Sequence, residues 1–466
     1  MNTRRLSIIL VLAFLLSTLQ ACTPSTDELD EDDEFLEEDS PDFGLDSDRL
    51  GTVTIRWYGN NARELRYDDE VYFDKIHQKF PNIEIERYEE FMDDKRLQPT
   101  GSDAPWPIDQ LTDMLSAHKE PDIIVAYTEL IPKLSELGLL SDMEEYVSAN
   151  KLDLSRFEPA FIEQVRSYSP NSQLLAVPYM RTLHAMSYNK AWFDKAHIPY
   201  PTDGMTWEEW MPWAANIKKQ YEEMNVGSTL LYAASRGFGY PLLAQQRSAS
   251  ILDADTGKAN VTNSDWTAIA RIMQLHYGWI HTPFEMYNAI RQLTPFPHKL
   301  EYSIDLYEST YKFINSIYGE LYLEQSDWDM VSFPTFEDKP GVGPDFAGEV
   351  LSVNPNSEHR EEAFEVLSYL ISDEFQTWNS RIGNGSPLVN PNIHAQFGVE
   401  NSFYTGKNVR AFFLNHPAEP VKKNAKEPEA EYRMNRLMDG LYNSSASDLS
   451  EQLNNWEEQW NTPSDQ

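Results

Sequence analysis

Cysteine is nearly absent: 466 residues carry one, Cys22. No intrachain disulfide is therefore available, and the fold must be held by packing. Cations are also scarce, with 38 Lys and Arg against 75 Asp and Glu and a formal charge of −37. Neutralising phosphates takes clustered Lys and Arg, which this chain lacks, so nucleic acid is excluded as a partner. An acidic surface of this kind serves solubility. Long apolar runs are missing too. The stretch 8–16 is apolar throughout, yet a bilayer span needs about twenty such residues, and no second segment approaches that length. Catalytic signatures are absent: there is no GxSxG elbow, no HExxH and no GxxxxGK[ST] phosphate loop. No cofactor is implied. The stretch DADTGK, 253–258, has the opening acids of a calcium loop but lacks the Gly at its sixth position and the Glu at its twelfth, so it reads as a hairpin turn. Asn263 or Ser264 then caps the helix that holds Trp266. His276 and His281 have no third ligand at metal spacing, and no metal site is read.

What is present begins with an export pattern. Arg4 and Arg5 precede the apolar run 8–16, and small polar Ser17 and Thr18 follow it. Leu19, Gln20, Ala21 and Cys22 resemble the lipobox of bacterial lipoproteins. The resemblance implies cleavage after residue 21 and lipidation of Cys22. Two acyl chains satisfy the rule that stable anchoring takes more than one. From 23 to 48 there are thirteen acids and no Lys or Arg. Such a segment cannot bury a core and repels itself, so it reads as a disordered tether over 22–49. Fully extended, it reaches about 90 Å and lifts a folded body away from the membrane.

The remaining chain is too long for one core and implies at least two domains. GTVTIRWYG, 51–59, reads as a buried strand, 70–79 as a helix, IEIE at 83–86 as a second strand, 109–117 as another helix and DIIVAY, 122–127, as a third strand. Strands alternating with helices imply parallel pairing in an α/β domain, whose ligands sit at the carboxyl ends of the strands.

LSELGLLSDMEEYV (134–147) and LLAVPYMRTLHAMSYNKAWFDKAHIPYPTDGMTWEEW (174–210) resemble family 1 of the extracellular solute-binding proteins of ABC importers, the sugar-binding type. Val177, Pro178, Tyr179, Tyr188, Asn189, Lys190, Phe193, Thr206, Trp207 and Glu208 carry the match, with a later block at 328–378. The family often has adjacent glycines where Phe346, Ala347 and Gly348 stand here. The resemblance implies a two-lobed α/β fold of the periplasmic-binding-protein type 2, with a hinge and a ligand cleft between the lobes. It places one lobe at 50–186 plus 352–398 and the other at 187–351 plus 399–466. The chain then crosses between lobes near 185–188 and 348–353, and the last helical stretch, 437–460, falls in the second lobe.

The implied role is non-enzymatic: a monomeric, lipid-anchored subunit outside the cell membrane that captures a mono- or oligosaccharide and delivers it to the ABC permease. The same role for a peptide or another polar solute, a surface carbohydrate-active enzyme, and a lipoprotein presenting ligand to a sensor are the competing readings. Sugars offer flat C–H faces ringed by hydroxyls, which aromatic faces and polar side chains match. With 12 Trp, 24 Tyr and 22 Phe, candidate ligand contacts are the aromatics at turns after strands: Trp57, Tyr127, Tyr179, Phe238, Tyr240 and Phe346. Their polar companions are Asn60, Asn61, Arg63, Arg181, Arg236 and Asn384. Trp207 is assigned to packing of its helix start. The anchor has a direct test: Cys22→Ala protein should appear in the medium, whereas the parent chain fractionates with membranes.

Overall fold

The computed structural model describes residues 52–59, 69–87, 120–169, 171–190, 193–194, 197, 199–213, 240–277, 307–310, 327–344, 348–424, 426–441 and 446–462. Gly51–Gln466 forms one compact unit by its contacts. Among the described residues there are three sheets. Strand β1, Val53–Gly59, pairs in parallel with β2, Ile83–Arg87, on one side and with β3, Ile123–Tyr127, on the other. The helix Asp69–Lys79 connects β1 to β2. It buries Tyr72 and Ile76, one turn apart on a single face, and Phe80 just beyond its end. Pro81 and Asn82 break it, and the Asn82 carbonyl accepts from the Val53 amide at 2.9 Å, which starts β1 in register. The helix expected at 109–117 lies outside the described residues.

β4, Val177–Arg181, and β5, His184–Asn189, follow; β6, Tyr307–Thr310, and β7, Trp328–Ser332, flank β5 in an antiparallel three-stranded sheet. After the short strand β8, Val342–Gly343, comes β9, Gly348–Val353, the strand that joins the design together. β9 inserts antiparallel between β3 and β4, giving the order β2-β1-β3-β9-β4. All six of its residues are buried, including Glu349 and Ser352. The Ser352 hydroxyl donates to the Leu175 carbonyl at 2.9 Å, so its polarity is satisfied inside the core.

β4 is an edge strand, which is where a Pro that donates no ladder hydrogen bond can sit. Its pairing with β9 slips between Pro178 and Met180, leaving Tyr179 as the extra residue of a bulge. Asp122 ties the sheet together at the start of β3. It is 1% exposed, and its two carboxylate oxygens accept from the Arg56 amide at 2.7 Å and the Ser357 hydroxyl at 2.6 Å. The helix Arg360–Leu370 buries Ala363, Phe364, Val366, Leu367 and Leu370 and begins with Glu361 and Glu362, which suit the positive end of its dipole.

A second core lies around β5 and β7 and gathers Tyr188, Phe193, Trp207, Trp210, Trp266 and Phe333. The helix opening at 207 has a capping box: the Thr206 hydroxyl accepts from the Glu209 amide, and the Glu209 carboxylate accepts from the Thr206 amide. Trp207 is 1% exposed and donates through Nε1 to Gln246 at 2.9 Å, the packing role expected of it. The turn at 253–258 closes with the Asp253 amide donating to the Lys258 carbonyl, and Asn263 accepts from the Trp266 amide, capping the helix Ser264–Tyr277. The helices Glu427–Leu441 and Ala446–Asn461 pack Ala430, Met434, Met438 and Leu453 into this core.

β5 belongs wholly to the three-stranded sheet and β9 wholly to the five-stranded one. The stretches expected to cross, 185–188 and 348–353, are thus strands. The changes of sheet come instead at Thr182 and Leu183 and ahead of Gly348, because pairing claims every residue from His184 and from Gly348 onward. Gly348 marks the tightest point. A Cβ there would stand 2.2 Å from the Met180 carbonyl oxygen and 2.8 Å from the Phe161 ring. Gly348→Ala must therefore part β9 from β4. By the usual cost of overpacking we expect a loss of about 1–3 kcal/mol, read as a lowered urea midpoint. An unchanged midpoint would show that the two strands are less tightly joined than this.

Candidate functional site

The carboxyl ends of β3 and β4 lie at one rim of the first sheet, each beside the start of β9. Tyr127 is opposite Glu349, and Arg181 is opposite Gly348. Tyr127 is partly exposed at the end of an otherwise buried strand. From Arg181 the chain passes through Thr182 and Leu183 directly into β5. Arg181 is held from behind by the turn 383–387: its amide donates to the Gly385 carbonyl at 2.9 Å. A Cβ on Gly385 would stand 2.3 Å from the Arg181 carbonyl oxygen and 3.1 Å from Leu183 Cγ, so only glycine lets the turn press against both residues.

Arg181, Thr182 and His184 line a small recess, with both ring nitrogens of His184 buried. Its other walls are Phe333 beyond β7, Gly343 and Pro344 at β8, and Phe412, Asn415, His416 and Pro417. The last of these are brought in by the two-residue strand β10, His416–Pro417, which pairs in parallel with β8. Asn415 donates to the Phe333 carbonyl at 2.7 Å, and the His184 ring lies 5.7 Å from that of Phe333. Side chains of both sheets thus converge on one recess that offers aromatic faces, an amide, a hydroxyl and a guanidinium. Such a mixture offers both apolar and hydrogen-bonding contacts.

The Arg181 guanidinium lies 5.9 Å from the Phe413 ring centroid. Burial pulls its pKa down to about 10, with the Glu158 charge opposing. His394 stacks on the same Phe413 ring at 4.5 Å, and its Nε2 is 2.8 Å from the Leu388 carbonyl. Burial first, and the Arg181 charge second, hold this imidazole down at about 4.

The other sequence candidates divide. Trp57 sits in β1 with its ring edge-on to Phe73 at 5.6 Å, where it packs the connecting helix onto the sheet. Tyr179 is 3% exposed and stacks on Phe375 at 6.4 Å; the bulge turns it into the core, away from ligand. Tyr240 is 3% exposed, lies 5.7 Å from Trp266 and donates to the Glu431 carbonyl at 3.0 Å, so it too is a packing residue. Asn384 is buried in a network with Asn379 and Tyr72: its amide donates to both, and the Tyr72 hydroxyl donates to Asn379. It shapes the turn behind Arg181 and does not face solute. Asn60, Asn61, Arg63, Arg236, Phe238, Phe346 and Cys22 lie outside the described residues. His184, Phe333, Phe412, Asn415 and His416 were not anticipated. The stretch AFFLNHP, 411–417, is aromatic and polar enough to be noticed, but nothing in its spacing ties it to Arg181. No group of metal ligands occurs among the described residues, and no described helix is long and apolar enough to cross a membrane.

Residues 85–396, well over half of the chain, match the family model for bacterial extracellular solute-binding protein. The chain belongs to that family, whose members act outside the cytoplasm. Among solved structures, it is similar over 87% of its length to 99% of a sugar transporter from Rhizobium etli in an open conformation, at 17% identity and a TM-score of 0.62. The sugar-binding protein MalE from Xanthomonas citri gives 17% identity and 0.57, covering 87% of this chain and 97% of that one. UgpB from Mycobacterium tuberculosis in complex with glycerophosphocholine gives 13% and 0.59, with 88% and 98% covered. No curated protein sequence matches the chain. The fold is therefore that of the two-lobed α/β solute-binding proteins.

The half-buried imidazole of His394 makes the region sensitive to acid. Below its ordinary value of 6.5 the unfolded chain takes up a proton at His394, which the native state refuses until about 4. Stability at this site is thus complete above pH 6.5 and is lost as the pH falls toward 4. His394→Gln retains a donor for the Leu388 carbonyl and removes the titration. Between pH 7 and 4.5 the variant should lose less unfolding free energy than the parent chain in urea titrations. Equal losses would remove His394 from the account.

Proposed function

We propose that this chain is the capture subunit of an ABC importer, anchored through Cys22 and binding a carbohydrate in the recess where the two sheets meet. The observation that carries this reading is the convergence of Arg181, at the carboxyl end of β4, with His184 and Phe333 beside the second sheet and with residues of 412–417. Solutes of α/β sheets bind at that end of the strands. The recess spans a short two-residue link between sheets, so a solute that touches both sides binds best when the sheets approach. Differential affinity then shifts the balance of open and closed forms. The protein supplies recognition and leaves the solute unaltered. Delivery to a membrane permease and the monomeric state belong to the same proposal, as do the separate lobes at 50–186 plus 352–398 and 187–351 plus 399–466. Family membership supports the transport role, and the sugar-binding proteins of like fold support the choice of carbohydrate.

A panel of mono- and oligosaccharides, with peptides of equal size as the alternative, tests the solute class by thermal shift. A ligand present at a hundred times its Kd stabilises the native state by about 2.7 kcal/mol, a clear rise in melting temperature. We expect that rise with at least one glycan and no change in the glycan afterwards. A rise with peptides alone would replace carbohydrate by peptide, and breakdown of the glycan would replace capture by catalysis.

A further inference from the structure

We infer that Met205 is an oxidation site of the folded protein, taking oxygen from a hydroperoxide and becoming the sulfoxide. Nothing in this depends on the recess being the solute site. It is carried by a contrast among methionines. Every other methionine among the described residues is buried, none more than 6% exposed. Met205 alone among them is partly exposed, while its side chain still packs against the second core. A thioether is soft and polarizable, and its oxidation follows access. A hydroperoxide that cannot reach a sulfur inside the core can reach this one. The family acts outside the cytoplasm, away from the thiol pools that keep the cytosol reducing.

The backbone around Met205 is fixed, so the side chain cannot be drawn back. Asp203 accepts from the Ser332 amide at 2.8 Å, and the Gly204 amide donates to the Ser332 hydroxyl at 2.7 Å. The Met205 carbonyl accepts from the Thr335 amide at 3.3 Å, and the Trp207 amide donates to the Thr335 carbonyl at 2.8 Å. Glu208 accepts from the Glu337 amide at 3.1 Å. The stretch 203–208 is thus tied to 332–337 on both sides of the methionine. Two residues on, Trp207 is 1% exposed and lies edge-on to Phe333 at 5.3 Å. Met205 therefore closes the margin of the second core from a fixed position. In the reaction a sulfur lone pair takes the outer oxygen of the peroxide. The O–O bond breaks as the S–O bond forms, a proton passes to the departing oxygen, and an alcohol leaves, or water when the oxidant is hydrogen peroxide. The sulfur gives up two electrons and the peroxide gains them. A flexible apolar side chain becomes a polar, chiral one. Its new oxygen must be desolvated to keep the old apolar contacts, which is costly, so the sulfoxide loosens the margin that the thioether closed.

The test treats the full chain with dilute hydrogen peroxide and follows each methionine by tryptic digestion and mass spectrometry. Fragmentation separates Met205 from Met211, which share a tryptic peptide. We expect Met205 to gain its oxygen roughly ten times faster, or more, than any other methionine among the described residues. The melting temperature of the oxidised chain should fall by about 2 °C or more. Met205→Leu keeps the apolar volume and removes the sulfur, so this variant should lose both the fast reaction and the fall in melting temperature. Reaction at Met205 no faster than at the buried methionines overturns the assignment of the site. Fast reaction with an unchanged melting temperature, or an equal fall in Met205→Leu, overturns its role in closing the core. The reaction rate is read on the parent chain and so decides the site independently of how well the variant folds.

Discussion

The molecule is organised by one insertion. β9 runs antiparallel between two strands that point the other way, and it does so within a sheet whose first three strands are parallel. A chain that had already left for the second sheet must return to fill this slot. The return brings Glu349 beside Tyr127 and Gly348 beside Arg181, so the rim of the sheet is completed only by residues more than 160 positions away in sequence. Packing leaves no freedom at the junction, because the Gly348 position is closed by the Met180 carbonyl and Phe161. Without this strand, β4 would have no partner and Arg181 no fixed place.

From the fixed end of β4, the rest of the site follows in short steps. Two residues separate the first sheet from the second, and the turn 383–387 braces them from behind. A buried polar network of Tyr72, Asn379 and Asn384 holds that turn. Phe413 carries Arg181 and His394, which joins the recess to the helix Pro391–Ala395. Arg181 is thus fixed by strand pairing and by the turn behind it, and only Thr182 and Leu183 lie between the two sheets.

Much of the fold was legible along the chain because it depends on local pattern. β1, its helix and β2 were readable from alternation, helical spacing and the Pro81 break. The caps at Thr206 and Asn263 and the turn at 253–258 were readable from turn chemistry. Of the recess proposed as the site, only Arg181 was named from the sequence, by its place just after the Val177, Pro178 and Tyr179 match. Tyr179 and Tyr240 misled for a physical reason, since an aromatic after a strand packs inward as readily as outward. The bulge that buries Tyr179 arises from pairing with a strand 170 residues later. His184 and the 412–417 wall escaped because long-range pairing of β5, β8 and β10 assembles them.

The central claim is that solute binds where β4 hands over to β5. Hydrogen exchange followed by mass spectrometry, with and without a stabilising saccharide, addresses it directly. The account predicts that bound solute slows exchange at 181–184 and 412–417 together. Protection confined to either sheet alone, with those two segments unchanged, would contradict it.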